Sequence, residues 1–228
     1  MAERLILVMD TATRHGALGL ARADGSLVAS DTWATGHRHG EELLPRLDAL
    51  LASAGAGPTD IAIIGVGTGP GSFTGLRVGL ATAKTMAYVL GVPLTGISTA
   101  EGLALASGVQ GEVGVALPAG ANDRYLAHMV VSGGLVEQTS PPELVTSLNA
   151  ETARSGRLVA VDLEISEVHP KAVALGNRAV ENLVGALGRL VVATSKRDDV
   201  AELVPAYVAL PRGIAAAAAN MEWSPDLR

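Results

Sequence analysis

The apolar run Ile61-Ala62-Ile63-Ile64-Gly65-Val66 passes directly into Gly67-Thr68-Gly69-Pro70-Gly71-Ser72-Phe73-Thr74-Gly75-Leu76-Arg77-Val78-Gly79, and then into Leu80-Ala81-Thr82-Ala83-Lys84-Thr85-Met86-Ala87. The first segment predicts a buried strand and the last a helix, so the glycines between them form the turn of a strand–turn–helix unit. Glycine at 67, 69 and 71 removes the Cβ atoms that forbid positive φ, Pro70 stiffens the turn, and Ser72 or Thr74 is placed to cap the first helical amides. A turn of this kind presents amides to an anion, or it is simply a place where strand and helix pack closely; both readings stand at this point. It is not a Walker loop, because no Gly-Lys-Ser/Thr follows, and its glycine spacing is not the dinucleotide fingerprint.

Around this unit the chain reads as α/β. Leu5 to Met9 predicts a buried strand ended by Asp10-Thr11-Ala12-Thr13,. Ala17–Ala21 and Leu27–Trp33 flank Asp24-Gly25, a hairpin signal, so the opening is three short antiparallel strands,. Leu43, Leu44, Leu47, Leu50 and Leu51 recur at helical spacing, with Pro45 expected to bend the first turn or to move the helix start past Glu41 and Glu42,. Gly91-Val92-Pro93 ends the helix after the glycine turn, Leu94–Ile97 is a short strand, and Ser98-Thr99-Ala100-Glu101 has the pattern of a capping box,. Three antiparallel strands followed by α-β-α-β-α is the order of a ribonuclease-H-like lobe.

We expect a first lobe over residues 1–107, a smaller second lobe over 108–204 and a C-terminal segment 205–228 that packs back on the first. In the second half, strands are predicted at 112–117, 125–132 and 157–161. A helical region from Pro170 to Leu190 is expected to be loosened by Gly176, Gly185 and Gly188,. An alanine run to Ala219 predicts a short helix, and Trp223 to Arg228 a frayed end,.

Composition narrows the chemistry. The formal net charge of -6 argues against a broad nucleic-acid face on this chain alone, and aromatics at 3% leave no ladder of rings for stacked bases,. With no cysteine there are no disulfides or thiolate metal sites, which suits a reducing cytoplasm, and the segment before the first strand is too short for a signal sequence or a membrane span,. His37 and His39 lack a third ligand nearby, and no Ser/His/Asp set or Gly-x-Ser-x-Gly is present,. Asp10 at the end of the first strand is either an Asx turn or the carboxylate that holds a metal-bound phosphate in kinase-like folds. With Thr11, Gly69, Gly71 and Ser72 it makes up the candidate anion or nucleotide contact. Along the helix after the turn, Gly75, Gly79 and Ala83 recur every four residues and leave one face without bulk, while Leu76, Leu80, Ala87 and Leu90 make a second apolar stripe,. If the second stripe meets the sheet, the small-residue face is left for a partner; the bland reading is packing inside the lobe.

Taken together, Gly67 to Gly79 closely resembles the signature of the TsaB (YeaZ) family, which serves the synthesis of N6-threonylcarbamoyladenosine in tRNA. Met9-Asp10-Thr11-Ala12-Thr13, His39-Gly40-Glu41-Glu42-Leu43-Leu44-Pro45, Ser98-Thr99 and Pro205-Ala206-Tyr207 are similar to further family elements. The resemblance implies a two-lobed actin-like, ribonuclease-H-like fold with a mixed sheet and flanking helices in each lobe, and a non-catalytic subunit that activates a TsaD-like transferase. It implies pairing through the first lobe, with Gly75, Leu76, Val78, Gly79, Thr82, Ala83 and Met86 at the interface. A homodimer through an overlapping surface, a TsaE-like ATPase as third component, and tRNA reached only through the complex are also implied. No cofactor is expected to bind this chain tightly; ATP and magnesium belong to the complex. The transferase-type His-x-x-x-His metal pair is not reproduced, since Leu43 stands four residues after His39. Where many members carry Asp-Ala-Arg and Glu-x-Tyr, this chain reads Pro118-Ala119-Gly120-Ala121-Asn122-Asp123-Arg124-Tyr125. The alternative is a nucleotide-binding or metal-dependent enzyme of the glycoprotease-like (M22) superfamily.

Overall fold

The computed structural model describes residues 4–34, 38–120, 122–149, 152–153 and 155–206. Expectations for His37, for the alanine run and for Trp223 to Arg228 lie outside them. Leu5–Asp10 (β1), His15–Ala21 (β2) and Leu27–Ala34 (β3) form an antiparallel meander, and Ile61–Gly67 (β4) and Leu94–Ile97 (β5) continue parallel to β1, in the order β3-β2-β1-β4-β5. All of β1 is buried because both of its faces are covered, which is why it reads as an unbroken apolar run,. Arg22 donates to the Ser26 carbonyl across the hairpin, and Gly25 supplies the left-handed φ of 82° that the turn requires,. Trp33 on β3 lies against Gly16 on β2, its cross-strand partner, and Arg46 stacks 4.6 Å from the ring,.

His39–Ser53 (α1) and Phe73–Leu90 (α2) cover one face of this sheet. Pro45 lies within α1, whose start at His39 it does not move past Glu41 and Glu42. Proline removes its own N–H and crowds the carbonyl four residues before it, and the buried Leu43, Leu47, Leu50 and Leu51 along the helix hold it on the sheet,. Ser72 caps α2 by accepting from the Gly75 amide, and Gly91 ends it at φ 64°,.

The second sheet repeats the first one's plan. Gly111–Pro118 (β6), Arg124–Ser132 (β7) and Leu135–Gln138 (β8) form a meander, and Leu158–Ala160 (β10) runs parallel to β6, giving β10-β6-β7-β8. Glu143–Val145 (β9) pairs with the start of β7. Strands β8 and β9 were not among the predicted ones; both are short, polar in part and at the sheet edge,.

Two helices join the sheets: Thr99–Ala106 (α3), which packs on β6, β7 and β8, and Pro170–Ala193 (α4), which packs on the first sheet and on β10. One apolar cluster runs from Ile6 and Val8 through α3 and α4 to Val113, Val115 and Met129. The expected loosening of α4 is absent, for its glycines are contact points. A Cβ on Gly176 would strike the Ala160 carbonyl, and Gly188 lies close over Ala21. The fold is α/β, two-lobed and actin-like, with a mixed sheet and flanking helices in each lobe.

Candidate functional site

The ends of β1, β4 and β5 converge on the glycine turn. Asp10, at the end of β1, is 1% exposed. Its Oδ1 accepts the Ala12 amide at 2.7 Å, and its Oδ2 accepts the Thr99 hydroxyl at 2.7 Å. Thr99 Oγ1 in turn accepts the Gly69 amide at 3.1 Å, while the Thr99 amide donates to the Gly69 carbonyl at 2.8 Å. Burial raises the Asp10 pKa to about 6, against the opposing effect of the Ala12 amide and the Thr99 hydroxyl,.

The turn is clasped from its other side by the β1–β2 connection. Ser72 donates its amide to the Ala12 carbonyl at 2.7 Å, and Thr11 Oγ1 donates to the Gly75 carbonyl at 2.7 Å. Gly67 lies directly against the Asp10 carboxylate, Gly71 against the Ala12 backbone, Gly75 against the Thr11 carbonyl and Gly79 against Thr11 Oγ1, so that a Cβ at any of the four would overlap its neighbour. The candidate anion residues Asp10, Thr11, Gly69, Gly71 and Ser72 are therefore brought together, but around one another. The amides of Thr68, Gly69, Ser72 and Gly75 all have partners within the chain. A nucleotide with magnesium does not fit this set: the carboxylate is buried with both oxygens engaged, and the surfaces of Gly67, Gly71, Gly75 and Gly79 are covered by Asp10, Ala12 and Thr11,.

Along α2, Gly75, Leu76, Gly79 and Ala83, expected at a partner interface, are buried inside the lobe, and Thr11 of the β1–β2 connection lies over Gly75 and Gly79. Val78, Thr82 and Met86 are partly exposed, and Tyr88 and Val89 are 81% and 74% exposed. Val78, Thr82, Thr85 and Val89 follow one another at helical spacing and make an outward stripe. Gly40 lies near Val78, and Leu44, one turn further along α1, is exposed. Arg77 stacks on Phe73 at 4.0 Å beside this stripe.

The chain after α4 returns to the turn. Asp198 accepts the Gly96 amide at 2.8 Å, Lys84 Nζ donates to the carbonyls of Ala201 and Leu203, and the Ala206 amide donates to the Thr68 carbonyl at 2.8 Å. Among the described residues no group of three or more His, Asp or Glu side chains is placed to hold a metal ion. Thr99, which the sequence places in a helix cap and in a family-like element without assigning it a partner, is the side chain that ties Asp10 to the glycine turn; its place two residues after a predicted strand is the signal the sequence carries for it.

The family model described as TsaD, tRNA N6-adenosine threonylcarbamoyltransferase, matches residues 34–166. The tRNA threonylcarbamoyladenosine biosynthesis protein TsaB of Bacillus subtilis (strain 168) is 32% identical over 142 residues, 61% of this chain and 61% of that protein. TsaB of Escherichia coli (strain K12) is 36% identical over 94 residues, 41% of this chain and 40% of that protein. The matches thus span less than two thirds of these relatives' length. The solved structure of YeaZ from Pseudomonas aeruginosa superposes with a TM-score of 0.69 at 19% identity, covering 90% of this chain and 99% of that one, which shows a shared fold. By the family model and these relatives, the chain belongs to the TsaD family and, within it, with the TsaB (YeaZ) proteins.

Proposed function

We propose that this chain is a non-catalytic subunit in tRNA N6-threonylcarbamoyladenosine synthesis. It binds and activates a TsaD-like transferase through its first lobe, on the outward faces of α1 and α2. The observation that carries this reading is how the glycine turn is used. Both Asp10 oxygens and the amides of Thr68, Gly69 and Ser72, which would hold phosphate and metal in an active kinase-like site, are engaged with Ala12, Thr99 and Ile97,. The outward stripe through Val78, Thr82 and Val89 is apolar enough to bury against another helix pair, with Leu44 beside it,. A TsaE-like ATPase joins the pair, tRNA is reached through the transferase, and the same stripe supports a homodimer when the transferase is absent. The work belongs to the cytoplasm, where tRNA is modified, and no described helix is long and apolar enough to cross a membrane.

The test is reconstitution of threonylcarbamoyl transfer from a TsaD-like transferase and a TsaE-like ATPase, with and without this chain. Activity is expected to require it, and Thr82→Arg with Val89→Arg to abolish the pairing while leaving the fold intact. Full activity from the doubly substituted protein would falsify the interface. Calorimetric titration of the isolated chain with ATP and magnesium is expected to show no binding; tight binding would favour the nucleotide-dependent enzyme instead.

A further inference from the structure

The two sheets meet through α3 and α4, and polar contacts of Asp162 also join them beside the glycine turn. Asp162, just after β10, has its side chain 6% exposed. Its Oδ2 accepts the Arg14 amide at 2.7 Å, and its Oδ1 lies 3.5 Å from His15 Nδ1, a buried atom with no hydrogen bond. Asp162 adopts φ 58°, the left-handed region that aspartate tolerates better than most residues,. A backbone held in that conformation, two residues past a strand of the second sheet, aims a carboxylate at the β1–β2 connection of the first. That connection is the element whose Ala12 carbonyl accepts the Ser72 amide and whose Thr11 supports Gly75.

We propose that Asp162 is an interlobe catch: it holds the β1–β2 connection from the second lobe and thereby sets how firmly the glycine turn and the start of α2 are clasped. This goes beyond the partner reading above and does not depend on it. The catch has two ends in series. Its first end is a charge-assisted bond from the Arg14 amide to Asp162, its second the bond from the Ser72 amide to Ala12. Releasing the first frees the connection to move away from the turn, so that an event at the second lobe is felt at the base of α2.

Amide hydrogen exchange of the full chain, read residue by residue by NMR, tests this with Asp162→Gly and Asp162→Asn. Glycine keeps the φ of 58° and deletes the acceptor; asparagine keeps both the conformational tolerance and a carbonyl that can accept. In Asp162→Gly the Arg14 amide is expected to exchange about ten-fold faster and the Ser72 amide several-fold faster, with Leu158 in β10 unchanged; in Asp162→Asn most of the protection returns. The proposal would be overturned by unchanged exchange at Arg14, by faster exchange at Arg14 without any change at Ser72, or by an equal rise at Leu158, which would mean general destabilisation. Equal exchange in the glycine and asparagine variants would also overturn it, since the acceptor would then not be what holds the connection.

Discussion

The two lobes share an antiparallel meander with a parallel strand beside its first member, and differ in what covers their outer faces. In the first, α1 and α2 lie across the sheet, and α2 approaches so closely that three glycines, Gly71, Gly75 and Gly79, are needed to let the β1–β2 connection through. In the second, the outer face is closed by a small cluster, Ala116, Leu126, Leu158, Ala160, Leu163, Val168 and Ala172, to which only the first turn of α4 contributes a helix, with Val145 of β9 and Leu148 of a connecting segment packed on it. The related topology thus supports one face backed by two helices and one backed by a helix start, a short edge strand and connecting chain. A helix backing presents a continuous outward stripe at fixed spacing, which suits the first lobe to carry an interface.

The sharpest way to break this contrast is at the glycine clasp. Gly75→Leu would drive a side chain into the Thr11 carbonyl, which belongs to backbone and cannot swing aside. We expect a loss of about 3 kcal/mol or more in urea denaturation, at the severe end of overpacking. A stable Gly75→Leu protein would show that the clasp is loose.

Next come matched truncations of the two cores. Leu7→Ala in β1, enclosed on both sides by sheet-packed helices, is expected to cost about 4 kcal/mol, and Leu126→Ala in β7 about 2 kcal/mol, because connecting segments can settle into the cavity,. Equal costs would remove the distinction between the two backings.

Asp10 sharpens it from the electrostatic side. Its pKa is raised from 3.8 to about 6, so the folded state binds more protons than the unfolded chain between those values, and stability falls as pH rises through that window,. The ionised carboxylate costs about 3 kcal/mol above pH 6 and nothing below about pH 4,. Asp10→Asn is expected to flatten that slope; at pH 8 its neutral amide is spared the desolvation but replaces one of the two accepting oxygens by a donor, so the slope rather than the absolute stability is the readout,. A steep slope surviving in Asp10→Asn would assign it to another group.

The smallest stability effect belongs to the surface. Val89→Arg should shift stability by less than about 0.5 kcal/mol in thermal unfolding, its position being largely open to solvent,. A larger loss would mean that the outward stripe is part of the lobe's own packing.

Much of the first lobe was legible because its signals are local. The Asp24-Gly25 hairpin, the apolar runs of β1 and β4, and the Ser72 and Gly91 ends of α2 each follow from a few neighbouring residues,. The second lobe was less so. Leu135-Val136-Glu137-Gln138 is too short and mixed to declare a strand, and its pairing with β7 comes from the turn at Gly133-Gly134 closing the hairpin,. Glycines in α4 read as breaks because glycine is a poor helix former, whereas burial against the sheets repays that cost many times over,.

The sequence by itself determined that a strand, a glycine turn and a capped helix follow one another at Gly67 to Gly79, and that one face of that helix carries no bulk. Periodicity reports which side is small and is silent on what meets it. Only the tertiary structure decided that Thr11, 64 residues before Gly75 in the chain, fills that face, and that Asp10 spends its oxygens on Ala12 and Thr99. Contacts between residues so far apart depend on the closing of the whole sheet, which brings the ends of β1, β4 and β5 together and leaves the glycine turn a clasp between its own elements.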